Sequence, residues 1–389
     1  MNIPETPITR RTAMKAASAV AAGVVLAGTG VANAAFADAA HAAPLRPSPP
    51  WQATLTPTQQ AGQRVIFSYP GPTPPDSLLQ LIEAGEVGGV IFFGENITSF
   101  PQIAAVTQQL KQAQAASPVG SPLLLMTDQE GGLIRRLRGA EPILSEKAIG
   151  LSADPPAAAT AAGTGAGLAL ESVGLNHNLA PVLDVFRVPG NFDDEFQRSY
   201  SSDPAVAGAL GAAFVTAQQA TGVIATAKHF PGLGAAARDE NTDLGPVTLT
   251  QSLAELRSVD ESAFAPAIRA GVDMVMTSWA IYPAIDAVYP AGLSLAVVQG
   301  ELRGRLSFSG VTITDALEAG ALDAFGDAGQ RGVLAAQAGM DLLLCSARDV
   351  SQGQDTVAAM TEALTSKQLN PGHFQIALMR VKNLRDGLA

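Results

Sequence analysis

The amino-acid sequence predicts a single (β/α)8 barrel of the TIM type. Three observations carry that expectation. Eight apolar runs of strand length recur along the chain, longer Ala/Leu/Gln-rich stretches separate most of them, and charged residues collect at the C-terminal ends of several runs. The runs occupy 64–68, 87–93, 123–127, 175–185, 224–229, 274–278, 311–314 and 341–345. Each is mostly continuous in hydrophobicity, as strands buried on both faces are. Helices are expected over 101–116, 156–173, 204–221, 253–270, 295–305 and 328–338. Ser201-Ser202-Asp203-Pro204 and Ser294 read as helix starts, and Gly222, Gly271 and Gly339 as helix ends. The stretch 356–388 reads as one or two further helices packed on the barrel. An open doubly wound sheet is the alternative, but no Gly-rich dinucleotide fingerprint follows the first run.

A chain of 389 residues that is 47% hydrophobic and 15% charged is able to bury a large core. Its formal charge of −11 argues against nucleic acid and anionic membrane surfaces, since both attract Lys/Arg patches. Cys345 is the single cysteine, so no intrachain disulfide forms, and its apolar surroundings favour a buried thiol over a nucleophile. No His/Cys cluster has metal-ligand spacing, and neither a metal nor an organic cofactor is implied. Residues 1–42 are expected to lie outside the fold. Thr9-Arg10-Arg11-Thr12-Ala13-Met14-Lys15 resembles a twin-arginine export signal, and an Ala/Val/Gly-rich apolar region follows it. That region is short for a spanning helix, so stable membrane insertion after cleavage is not expected. Residues 43–54 form a Pro-rich spacer, and 55–389 the barrel domain.

Three strands end in chemistry. The run at 123–127 leads into Asp128-Gln129-Glu130-Gly131-Gly132, the run at 224–229 ends in Lys228-His229 before Phe230-Pro231-Gly232, and the run at 311–314 leads into Asp315. With Leu179-Ala180-Pro181-Val182-Leu183-Asp184 and Arg198-Ser199-Tyr200, these segments follow the order found in glycoside hydrolase family 3. The chain most resembles that family's bacterial single-domain β-N-acetylhexosaminidases, from about Leu55 to the C-terminus. Any one motif alone is weak, but five in order are specific.

The resemblance implies a carbohydrate substrate and a retaining mechanism, in which a carboxylate attacks the anomeric carbon and forms a glycosyl-enzyme ester. It gives that role to Asp315, for which helix capping is the structural alternative. It implies that Asp128 grips the outer hydroxyls of the terminal sugar, that Arg136 and Arg198 contact the same sugar, and that Lys228 and His229 hold the ring hydroxyls. Glu130 reads as a structural partner within its turn. Trp279 and Tyr282 follow the sixth run, where a sugar platform and ordinary core packing are equally open.

The general acid departs from the pattern. The family's hexosaminidases carry it as a His in Asp-Ser-His on the loop after Lys-His-Phe-Pro-Gly-His-Gly. Aligned by spacing, Asp239, Glu240 and Asn241 occupy those places here, and Leu233 replaces the second His. Asn transfers no proton, so Asp239 or Glu240 is the expected acid, provided burial raises its pKa toward the working pH. Two other outcomes stay open: hydrolysis restricted to good leaving groups, and glycan binding without cleavage. The Gly- and Ala-rich composition of this loop suggests a mobile lid. The function expected is an extracellular or cell-wall-associated exo-glycosidase acting on terminal β-linked N-acetylglucosamine, with a β-glucosidase or an impaired glycan-binding member as alternatives.

Overall fold

The computed structural model describes residues 55–388; the expected export signal and Pro-rich spacer lie outside them. Eight parallel strands close into a barrel, each hydrogen-bonded to its sequence neighbours and the last to the first. They are β1 (Val65–Phe67), β2 (Gly89–Phe92), β3 (Leu124–Thr127), β4 (His177–Asn178), β5 (Ile224–Phe230), β6 (Met274–Thr277), β7 (Val311–Ala316) and β8 (Leu342–Leu344). Six fall within the expected runs, and β5 and β7 begin where expected but run one and two residues further. The fourth is much shorter than expected. Beyond Asn178 the chain keeps to β5 through a bond from Thr226 N to Ala180 O and an isolated bridge between Val182 and Lys228.

Alternation of side chains along the strands separates two apolar layers. Ile66, Ile91, Leu124, Met126, Ile224, Met274, Met276, Ile313 and Leu344 fill the barrel interior. Their neighbours, such as Phe67, Leu125 and Val275, face outward under the helices. On β5 this alternation turns Ile224 inward with the interior cluster, and two residues on, Thr226 Oγ1 meets His177 Nε2 of β4 at 2.6 Å. The same spacing brings Lys228 to the open end.

The helices begin where polar caps predict. Asp154 accepts from Ala157 N at the head of Pro155–Glu171, and Asp203 from Ala205 N at the head of Pro204–Gln219. The two helices pack close because small residues line the seam: a Cβ on Gly163 would stand 2.3 Å from Phe214 O. The expected helix at 253–270 forms but widens into a π-turn at Leu256–Asp260. The C-terminal stretch is two helices, Val350–Thr365 and Pro371–Asp386. Val381 of the second packs with the barrel interior, with Leu384 and Leu388 beside it, closing the end opposite the C-terminal strand tips. Among the described residues no helix is long and apolar enough to cross a membrane.

Candidate active site

At the C-terminal ends of the strands lies a cavity of about 470 Å³, a size suited to a small ligand. Its lining includes Ile91, Leu179, Met276 and Leu344, which also belong to the barrel's interior cluster and so make the floor. Asp128, Arg136, Arg198, Lys228, His229 and Asp315 also line it. Six residues spread over almost 190 sequence positions, from 128 to 315, are therefore brought together by barrel closure.

Lys228 is the centre of an ion network. Its Nζ donates to Asp128 Oδ1 at 2.8 Å and lies 2.7 Å from Glu130 Oε1. Arg198 grips Glu130 through two bonds of 2.9 Å, and Arg136 stands 3.6 Å from Asp128. Burial alone would raise both carboxyl groups. The charges of Lys228 and Arg136 outweigh it at Asp128, and those of Arg198 and Lys228 at Glu130, so both are held below the usual carboxylate range. Burial disfavours the Lys228 cation, but Asp128 and Glu130 more than offset it and raise its pKa. Glu130 is thus more than a turn residue: it orients the Arg198 fork and the Lys228 ammonium.

The β5–β6 pairing shifts register between Ala227 and Phe230, which breaks the simple alternation. His229 accordingly lines the cavity beside Lys228. Its Nδ1 meets Asp184 Oδ2 at 2.6 Å and its Nε2 meets Arg198 at 3.3 Å. A guanidinium only donates, so Nε2 accepts and the hydrogen is assigned to Nδ1, facing Asp184. Asp184 also accepts from Leu233 N at 2.6 Å. Leu233 therefore packs where the resemblance has a second His, and it is buried.

Asp315 is the penultimate residue of β7, and its Oδ1 accepts from its own neighbour, Ala316 N, at 2.8 Å. It caps no helix: the next helical turn, Gly320–Phe325, starts five residues on, after Ala319. Trp279 and Tyr282 do not line the cavity. Both are buried; Trp279 Nε1 donates to Ala316 O at 2.8 Å, and Tyr282 Oη bonds Ser278 and Gly232 O. They support the strand ends that carry Asp315 and His229. The aromatic surface of the cleft comes instead from Phe93, Phe192 and Phe196, with Arg348 over the Phe93 ring at 4.5 Å.

The structure does not bring Asp239 and Glu240 to the cavity. Asp239 is exposed, and Glu240 Oε2 accepts from Ala237 N at 2.7 Å, closing its own turn. The segment before them is packed, contrary to a free lid. Ala236 is buried, and Gly234 O accepts from both Arg187 N and Asn191 Nδ2. Besides Leu233, the residues of this loop that line the cavity are Asn241, Thr242 and Asp243. Spacing from the Lys-His motif gave no signal for Asp243, because the chain turns once more after Glu240. Asp184, by contrast, stood at the end of a motif already singled out.

Comparison with known proteins agrees with this geometry. Residues 63–384 match the model of the glycosyl hydrolase family 3 N-terminal domain. An uncharacterized secreted glycosyl hydrolase of Arthroderma benhamiae is 48% identical over 85% of this chain and 93% of its own length. A family 3 β-N-acetylglucosaminidase from Paenibacillus sp. FPU-7 superposes with a TM-score of 0.81 at 33% identity, over 86% of this chain and 63% of that one. The β-N-acetylhexosaminidase of Beutenbergia cavernae superposes with a TM-score of 0.77 at 34% identity, over 85% of this chain and 98% of that one. This chain thus spans under two thirds of the Paenibacillus enzyme and nearly all of the other two.

Proposed function

We propose, for a chain that belongs to glycoside hydrolase family 3, that it is an exported retaining exo-glycosidase. Its substrate is terminal β-linked N-acetylglucosamine, or a similar β-glycoside, on cell-wall or chitin-like glycans. The observation that carries the reading is the convergence of Asp315 with the Asp128, Arg136, Arg198, Lys228 and His229 cluster on one cavity. The apolar floor closes that cavity at the barrel end and gives a terminal sugar a surface to rest on, which supports the exo reading. Asp128, already fixed by Lys228 and Arg136, offers acceptor lone pairs to two adjacent hydroxyls. His229, oriented by Asp184, and Lys228 face the ring beside it. The Asp315 carboxylate attacks the anomeric carbon, and water then hydrolyses the resulting ester with net retention. The twin-arginine-like N-terminus and the secreted character of the Arthroderma relative support export, while the Paenibacillus β-N-acetylglucosaminidase and the Beutenbergia β-N-acetylhexosaminidase support N-acetylglucosamine over glucose.

The test is release of the aryl group from aryl β-N-acetylglucosaminide and aryl β-glucoside by the mature chain. Turnover is expected on the first, with Asp315→Ala lowering kcat by on the order of 10⁴-fold. Sugar binding without release from either substrate would replace this reading with a glycan-binding role.

A further inference from the structure

Resting on that reading, we propose that Asp243 is the general acid and base of the reaction, in the place where related hexosaminidases use a His. Asp243 lines the same cavity as Asp315, whereas Asp239 and Glu240 do not. Its loop is fastened to the loop that follows Asp315: Gly320 N donates to Asp243 O at 2.9 Å and Ala321 N to Thr242 O at 3.0 Å. Asn241, standing where the His is expected, bends the chain for this. Its Oδ1 accepts from Asp243 N at 2.8 Å, and its carbonyl accepts from Leu244 N and Gly245 N.

The other acids of the cleft are committed. Glu318 accepts from Ser346 Oγ, Ser346 N and Gln352 Nε2. Asp128 and Glu130 are held ionised by their cation partners. Asp243 alone among the lining carboxylates has no side-chain ion pair or hydrogen bond recorded within the described residues. Asp243 is exposed at the cavity rim, yet desolvation of its carboxyl by the surrounding protein and the charge of Asp315 push its pKa up to about 6. Glu318 adds to the rise, and Arg198 and His229 oppose it. It therefore holds its proton into mildly acidic solution.

In the first step Asp315 forms a C–O bond to the anomeric carbon as the glycosidic C–O bond breaks, and the Asp243 proton passes to the departing oxygen. In the second, the Asp243 carboxylate takes a proton from water. The water oxygen bonds to the anomeric carbon, and Asp315 leaves as carboxylate. Both residues end as they began.

The experiment compares the intact mature protein with Asp243→Asn, Glu240→Gln and Asp315→Ala, on N-acetylglucosaminyl disaccharide and on dinitrophenyl β-N-acetylglucosaminide. Asp243→Asn is expected to slow the disaccharide on the order of 10³-fold and to affect bond cleavage in the activated substrate far less. With the activated substrate, added azide restores turnover and yields the β-glycosyl azide. The decline of wild-type disaccharide hydrolysis above about pH 6 disappears in this variant. If Asp243→Asn keeps the wild-type rates and pH profile, or if Glu240→Gln reproduces the pattern instead, the assignment is overturned. Full activity of Asp315→Ala, or no turnover by wild type on either substrate, sinks the broader reading and takes this one with it.

Discussion

Lys228 shows how one residue carries both stability and recognition. Its ammonium is almost fully buried between Asp128 and Glu130, so removing it strands two carboxylates in a low-dielectric cleft. Breaking a buried ion pair costs about 3–5 kcal/mol. Lys228→Ala is expected at the low end, about 3 kcal/mol by urea unfolding, because Arg136 and Arg198 still face the two acids. The same variant should raise KM for the terminal sugar, since Asp128 loses the partner that fixes its direction. The pH dependence has a definite sign. The folded pKa of Glu130 lies below its unfolded value, which is about 4.3. Its contribution is therefore complete at neutral pH and is lost as the pH falls through that folded value. Unfolding midpoints measured from pH 7 down to pH 3 should fall more steeply in wild type than in Glu130→Gln.

The loop 241–245 and the loop after β7 act as one element because Gly320 lets their backbones touch. A Cβ there would stand 2.7 Å from the carbonyl carbon and oxygen of Leu244. Gly320→Val is expected to part the loops, cutting turnover of poor leaving groups by on the order of 10²-fold while leaving the barrel folded. Kinetics alongside a thermal melt check this, and a normal rate would mean that the two loops are not coupled. This is also where the sequence was least legible. The Lys-His motif correctly marks β5, and its spacing places Asn241 at the expected acid position. Which carboxylate of a loop reaches a cleft depends on the number of turns the backbone makes, and motif spacing carries no such information.

At the scale of the whole molecule, the C-terminal helix Pro371–Asp386 holds the barrel shut at the end opposite the site. Arg385 is fully buried and donates to Pro122 O, Ser121 O and Gln63 Oε1. Arg64 reaches Asp341 O and Met340 O while stacking on Phe374 at 4.5 Å. These bonds tie the last helix to the starts of β1, β3 and β8, where the barrel closes. Charge-assisted hydrogen bonds contribute about 1.5–3 kcal/mol each, and leaving the buried acceptors unpaired adds a penalty. Arg385→Ala should thus lower unfolding stability by at least about 3 kcal/mol. Its effect on KM should be small, because the cavity lies at the other end.

Apolar runs and helix caps sufficed to read the barrel and its eight strands, because burial on both strand faces is written in local composition. Asp128, Lys228, His229 and Asp315 stood out as charge at strand ends, whereas Arg136 and Arg198 were marked only by the family resemblance, and all six line one cavity. The shortness of β4, the burial of Trp279 and Tyr282 and the aromatic cleft of Phe93, Phe192 and Phe196 were decided by packing between segments distant in sequence. So was the arrival of Asp243 rather than Glu240 at the cavity. That depends on an Asn-capped turn and on two backbone bonds to the loop after Asp315, contacts that exist only once the barrel has closed.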